Sequence, residues 1–256
     1  MIKVVAALLV AGGAMIVMSS ATSPTEGATP DACSEISFDA SHFTICRFDP
    51  KRHDLQGFVT DKKGNPFRRF DHLRRYLGVK SKRVAFAVNA GMFDDAGLPI
   101  GLYVENGIKR HPSNNRDAPG NFYLKPNGVF WVDARGVHVA ETKAYLEGSR
   151  SGLRFATQSG PMLVIGGQIH PKFDFDGRSK HIRNGVGVDR AGRAVFVISS
   201  GPVSLGKFAR VFRDQLGCDN ALFLDGAVSS LWNGVTDRID ERADIGPMIV
   251  VSERVP

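Results

Sequence analysis

The chain has 256 residues, 43% of them hydrophobic and 23% charged, with a formal net charge of +7. Such a chain builds one sizeable core and is too short for two independent ones, so a single domain is expected. Beyond the first residues no stretch is long and apolar enough to cross a bilayer, and the basic surplus is too localised to make nucleic acid the expected partner.

The N-terminal stretch MIKVVAALLVAGGAMIVMSSATS places one lysine ahead of an apolar run that ends in small polar residues. This is the layout of a secretory signal peptide, and it predicts removal of residues 1–21. A Ser/Thr/Pro-containing linker over 22–32 then leads into a domain over 33–256. Export places the protein in a periplasmic or secreted compartment, where Cys33 and Cys46, flanking two short extended stretches, are expected to form a disulfide. Cys218, with no basic neighbour, reads as a buried, inert thiol.

Residues 51–83 carry eleven Lys/Arg against three Asp, which accounts for the positive charge of the chain. Within this segment Phe67, Phe70, Leu73 and Leu77 recur at helical spacing between arginine pairs, predicting an amphipathic surface helix with a solvated basic face. Strands follow. Val84–Val88 is a short β-rich run closed by Asn89 and Gly91, and IGLYVENGIKR reads as a hairpin about an Asn-Gly turn. NFYLKPNGVFWVDARGVHVAET reads as a three-strand meander, with Phe122, Leu124, Phe130 and Val132 on alternating positions. PMLVIGGQIH, NGVGVDRAGRAVFVIS and NALFLDG add further short strands. A second helix is expected in SLGKFARVFRDQLG, capped by Ser204, packed through Phe208, Val211, Phe212 and Leu216, and ended by Gly217. The fold class is therefore α+β, a single domain with a mixed, mainly antiparallel sheet and a few packed helices.

Polar residues gather where these strands stop. NAGMF offers Asn89 and Gly91, and TQSGPML offers Gln158, Ser159 and Gly160. HIRNGVGVD offers Arg183, Asn184 and Asp189, and LDGAVSS offers Asp225, Gly226, Ser229 and Ser230. Glycine beside a polar group lets the backbone turn sharply or approach a ligand closely. No histidine spacing suits zinc, the acidic stretches at Asp174 and Asp95 lack a calcium-loop pattern, and no GxSxG elbow is present. No metal or cofactor is expected.

NAGMF, QSGPML, RNGVGVD and FLDGAVSS, in that order over residues 84–252, resemble the phosphodiester glycosidase family and within it the exported bacterial branch. Ala227 departs from the second glycine that family members of the animal type carry in this loop. The resemblance implies a hydrolase acting on a sugar joined through phosphate, with a carbohydrate or sugar-phosphate as partner. Breaking a sugar C1–O bond develops positive charge on the ring, which a carboxylate stabilises or attacks. Asp225 is the first candidate. A phosphoester leaving group departs as an anion, so the guanidinium of Arg183 suits it. Asp189 serves either as base for water or to orient Arg183. Asn89, Gly91, Gln158, Ser159, Gly160, Asn184, Gly226, Ser229 and Ser230 are candidates for substrate binding; the alternative for such groups is that they satisfy one another in buried turns. A non-catalytic glycan- or polyanion-binding protein of the envelope is the competing function.

Overall fold

The computed structural model describes Met1 and residues 31–254. The expected signal peptide and nearly all of the expected linker lie outside the described residues.

The described strands form three sheets in which every pairing is antiparallel. The first contains seven strands in the order β1 (Cys33–Phe38), β2 (Ser41–Phe48), β13 (Ala194–Ser199), β12 (Asn184–Val188), β14 (Asn220–Phe223), β10 (Met162–Ile165) and β11 (Gln168–Ile169). The second has five, β16 (Arg238–Ile239), β15 (Leu231–Asn233), β4 (Val84–Asn89), β17 (Met248–Glu253) and β3 (His53–Phe58). The third also has five, β6 (Ile108–His111), β5 (Tyr103–Glu105), β9 (Phe155–Ser159), β7 (Gly128–Asp133) and β8 (Gly136–Glu141).

Side-chain parity explains how the sheets assemble. On β13, Ala194, Phe196 and Ile198 enter one hydrophobic cluster while Val195 and Val197 enter another. Ile249 and Val251 on β17 join that same first cluster, as do Phe130 and Val132 on β7. One face of every sheet therefore meets in a shared core. The opposite faces are covered separately. Phe208 and Phe212 cover the first sheet from α3 (Leu205–Arg210) and the π-helical turn after it. Phe70 and Leu73 of α1 (Phe70–Leu77) cover the second against Trp232 and Met248. Tyr145 of α2 (Thr142–Glu147) covers the third against Trp131 and Val129. A strand buried on both faces needs an apolar residue at every position rather than at alternate ones, which is why β4, β7 and β13 read as continuous apolar runs.

Local signals account for much of the framework. Ser204 caps α3, its hydroxyl accepting from Lys207 N at 3.1 Å, and Gly217 takes φ +64 after the helical segment. Asn106 and Gly107 adopt φ +51 and +77 in the β5–β6 hairpin, as a type I′ turn requires. Cys33 and Cys46 sit opposite one another in the β1–β2 register and are joined by a disulfide. Cys218 is buried, and desolvation pushes its thiol up to about 12.

Two expectations are corrected. Asn121–Tyr123 is a 3₁₀ turn, not the first strand of a meander, because the chain turns there to let Asn127 Nδ2 donate to Phe122 O at 3.0 Å. Thr142–Glu147 is a third α-helix where the sequence predicts two; its six residues are too few to show helical periodicity after a strand. The basic segment does form α1, with Arg74 paired to Asp237 at 3.0 Å and Arg75 to Asp71 at 2.9 Å on its exposed side.

Candidate functional site

The first and second sheets are stitched together by residues at their strand ends. Asn89, the last residue of β4, is buried, and its Nδ2 donates to the carbonyl of Asp225 at 2.7 Å. Its Oδ1 accepts from Asn184 Nδ2 and from the Ser230 backbone N–H, each at 2.9 Å. Ser229 Oγ lies 3.1 Å from Ile182 O and 3.2 Å from Asn184 Oδ1. Asn89, Asn184, Ser229 and Ser230 are thus brought together, and they satisfy one another. Their immediate effect is to fix the loop that carries Asp225.

That loop is held on both sides. Asp225 N donates to Ala90 O at 3.0 Å, and Asp225 Oδ1 accepts from Ala227 N at 3.3 Å, capping the 3₁₀ turn Gly226–Val228. Any side chain at Gly226 would overlap the Phe223 ring, so glycine is required there by space. With no cation beside it, the Asp225 carboxyl feels mainly the loss of water, and burial pushes its pKa up to about 6.

Arg183 lies on the neighbouring strand segment. In the β12–β14 register Gly185 opposes Phe223, and Leu224 N donates to Asn184 O at 3.1 Å. Arg183 and Asp225 lie just beyond these strands, at the same end of the pair. The Arg183 side chain is 2% exposed and makes no ion pair among the described residues. Its Nε donates to Val203 O at 2.7 Å and its Nη2 to Ser179 O at 2.8 Å. The guanidinium carbon is 5.4 Å from the centre of the Phe223 ring, and burial lowers its pKa to about 10. Arg183 also lines a cavity of about 170 Å³ with Lys172, Arg178, Ser179 and Asp174. Of the five N–H groups of a guanidinium, two are committed to carbonyls and three remain to meet an anion.

The third sheet contributes at its junction with β4. Gly91 N donates to Thr157 Oγ1 at 3.2 Å, and a side chain at Gly91 would collide with the Gln158 carbonyl. Gln158 Oε1 accepts from Leu102 N at 3.0 Å and Asn114 N at 2.9 Å, and its Nε2 donates to Asn114 O at 2.8 Å. Gln158 therefore braces the loop after β6. Ser159 is fully buried and its Oγ has no hydrogen-bond partner. Gly160 packs against Asn127 and the Phe122 carbonyl, and just beyond it Phe223 N donates to Pro161 O at 3.1 Å, which ties this turn to the Asp225 strand.

Asp189 is not part of this assembly. It lies in the β12–β13 turn, where its Oδ1 accepts from Ala191 N and Arg193 N, both at 3.0 Å, and its Oδ2 pairs with Arg193 at 2.8 Å. Burial opposes its ionisation, but these partners outweigh it and hold its pKa below the usual value. The strand from Asn184 to Val188 separates it from Arg183; six residues at about 3.3 Å each is about 20 Å. Two residues outside the sequence-derived set join the site. Phe223 touches both Arg183 and Gly226, and Thr157 holds Gly91. Phe223 was masked as one apolar residue in a core strand, while Thr157 stands directly before Gln158 in the same motif. Among the described residues no group of three His, Cys, Asp or Glu side chains is arranged to hold a metal ion.

The sequence model of a family described as phosphodiester glycosidase matches residues 82–252. The chain is 36% identical over 150 residues to the uncharacterized protein YigE of Escherichia coli K12, an alignment covering 59% of this chain and 58% of that protein. It therefore spans little more than half of that curated relative. The structure is similar to the zebrafish N-acetylglucosamine-1-phosphodiester alpha-N-acetylglucosaminidase catalytic domain auto-inhibited by its pro-peptide, with a TM-score of 0.60, 17% identity, and coverage of 87% of this chain and 82% of the other. A hypothetical protein from Synechocystis has a TM-score of 0.53 at 18% identity, with 87% of this chain and 61% of that one covered. Identities this low establish a shared fold.

Proposed function

Because this chain belongs to the phosphodiester glycosidase family, we propose that it is a glycosidase-type hydrolase cleaving the C1–O bond between a sugar and phosphate in an envelope or extracellular glycan. The observation that carries this reading is that a desolvated carboxyl and a buried guanidinium, Asp225 and Arg183, lie at the same end of the β12–β14 pair. A phosphodiester-linked sugar needs two complementary charges: one negative beneath C1, one positive at the departing oxygen. Asp225 in its ionised form supplies the first, stabilising the oxocarbenium-like ring or attacking it. Arg183 supplies the second, with a guanidinium already desolvated and oriented by two carbonyls. Orientation before binding reduces what substrate must reorganise.

The phosphate leaves as an anion of low basicity, so proton donation to it is unnecessary. Ser159 Oγ, buried without a partner, has hydrogen-bonding capacity left for a sugar or phosphate oxygen, as the uncommitted N–H groups of Arg183 do. Gln158, Asn89, Asn184, Ser229 and Ser230 act as positioning residues, since their polar atoms are committed to the frame. Asp189 has no catalytic part. Export is included in the proposal, and the Cys33–Cys46 disulfide supports it, because such bonds persist in oxidising compartments.

The test is release of sugar from a sugar-1-phosphodiester by the purified protein and by Asp225→Asn. Turnover abolished in the variant, with substrate binding retained, is expected. Absence of turnover by the unaltered protein across a broad panel of sugars, with binding present, would replace this reading by that of a non-catalytic glycan-binding protein.

A further inference from the structure

We propose a second ligand site, for a neutral saccharide, in the cavity between the loop after β3, the helix α1, the loop before β5 and the strands β5 and β6. This cavity has a volume of about 480 Å³, within the range of about 300–1,000 Å³ usual for small-molecule sites. It shares no lining residue with the Asp225 and Arg183 assembly.

Its walls combine two tyrosines, Tyr76 and Tyr103, with Glu105, Arg110 and His111. Tyr103 is 0% exposed, and its hydroxyl, which has no partner within 3.5 Å, has the Glu105 carboxyl as its polar neighbour. The hydroxyl cannot retreat, because it rests on the backbone at Gly57, where no side chain would fit. Beside it, Glu105 makes no ion pair among the described residues, and burial raises its carboxyl above the usual range despite the opposing field of Arg110 and the hydroxyl of Tyr103. Donor and acceptor groups are therefore concentrated in one concave place, and Glu105 keeps acceptor capacity beyond Tyr103.

The charge balance selects the ligand. Asp61 and Glu105 are offset by Lys62 and Arg110 on the same lining, so neither an anion nor a cation finds a field of one sign. Asp61 is already occupied, accepting from Lys63 N, Asn65 N and Asn65 Nδ2 at 2.8, 2.9 and 3.0 Å. Glu105 remains to accept from vicinal hydroxyls, and Arg110 to donate. Tyr76, 44% exposed at the rim, is steadied by Phe67 with ring centres 5.0 Å apart. It offers a flat apolar face to the C–H side of a pyranose. Polyhydroxylic edge and apolar face are the two sides of a neutral sugar ring.

Saturation-transfer NMR on the full chain with N-acetylglucosamine, glucose and their β-1,4-linked disaccharides tests this directly. Saturation transfer to ring protons of at least one probe is expected, with binding weakened about tenfold or more by Tyr76→Ala and by Glu105→Gln, the latter preserving shape. Tyr76 and Glu105 lie outside the Asp225 and Arg183 assembly, so weakening by these two substitutions places the binding in this cavity whether or not the protein turns over a phosphodiester. No transfer to any probe, or loss of transfer in Asp225→Asn while Tyr76→Ala and Glu105→Gln bind as the unaltered chain does, would overturn the assignment.

Discussion

Asp225→Asn is expected to make the protein more stable above about pH 4, and most so at neutral and alkaline pH. The carboxyl is pushed from 3.8 to about 6 by burial, with a single backbone N–H, that of Ala227, acting the other way. A shift of about two units corresponds to roughly 3 kcal/mol between protonation states. Asp225 is only partly covered, so solvent screening brings the expected value to about 1–3 kcal/mol. The sign follows from proton counts. Between pH 4 and pH 6 the folded state holds a proton that the unfolded state has released, so the stability of the unaltered protein declines across that window. Below pH 4 both states are protonated and the penalty vanishes; above pH 7 it is present in full. Asparagine keeps the shape and still accepts from Ala227 N, but carries no charge to desolvate. Urea unfolding of both proteins at pH 3.5, 6 and 8 is the assay. The difference should be near zero at pH 3.5 and largest at pH 8. A variant equally stable or less stable at pH 8 would refute the claim that an unpaired, desolvated carboxylate is held there.

Hydrolysis should show the same group kinetically, with kcat falling on the acidic side of about pH 6 as Asp225 takes up its proton; a flat profile from pH 4 to 8 would remove it from the reaction. Arg183→Lys retains charge but loses the fork that reaches Val203 O and Ser179 O. It should lower kcat/KM on phosphodiesters about tenfold or more, with less effect on a glycoside whose leaving group is uncharged. Asp189→Ala should leave kcat within error and lower stability by about 1–2 kcal/mol through loss of its turn hydrogen bonds; a large fall in kcat would return Asp189 to the active site. Gly226→Ala forces a methyl group onto the Phe223 ring, and a loss of about 1–3 kcal/mol in thermal or urea unfolding is expected.

The sequence carried the local features well. The positive-φ turns, the cap at Ser204 and the Cys33–Cys46 register depend on a few adjacent residues, so their chemistry is visible in a short window. Position along a strand was harder. Arg183 and Asp189 are six residues apart in one motif, yet an extended β12 places them at opposite ends, and only knowledge of where the strand starts separates them. The division into three sheets was hidden for a different reason. Strands with both faces buried, such as β13, give no alternation from which to infer which face meets which neighbour. The partition of Asn89, Asn184, Ser229 and Ser230 into a mutual network was also illegible, because it joins residues up to 141 positions apart. Glycine next to a polar residue at a strand end proved informative, since Gly91 and Gly226 are places where space forbids a side chain.

The position of bond cleavage bears most directly on the central claim that Asp225 and Arg183 face one sugar–phosphate linkage. Turnover of N-acetylglucosamine-1-phosphodiesters in ¹⁸O-labelled water, read by mass spectrometry, should place the label on the released sugar. Label in the released phosphate would mean attack at phosphorus and would contradict the assignment of Asp225 to the anomeric carbon.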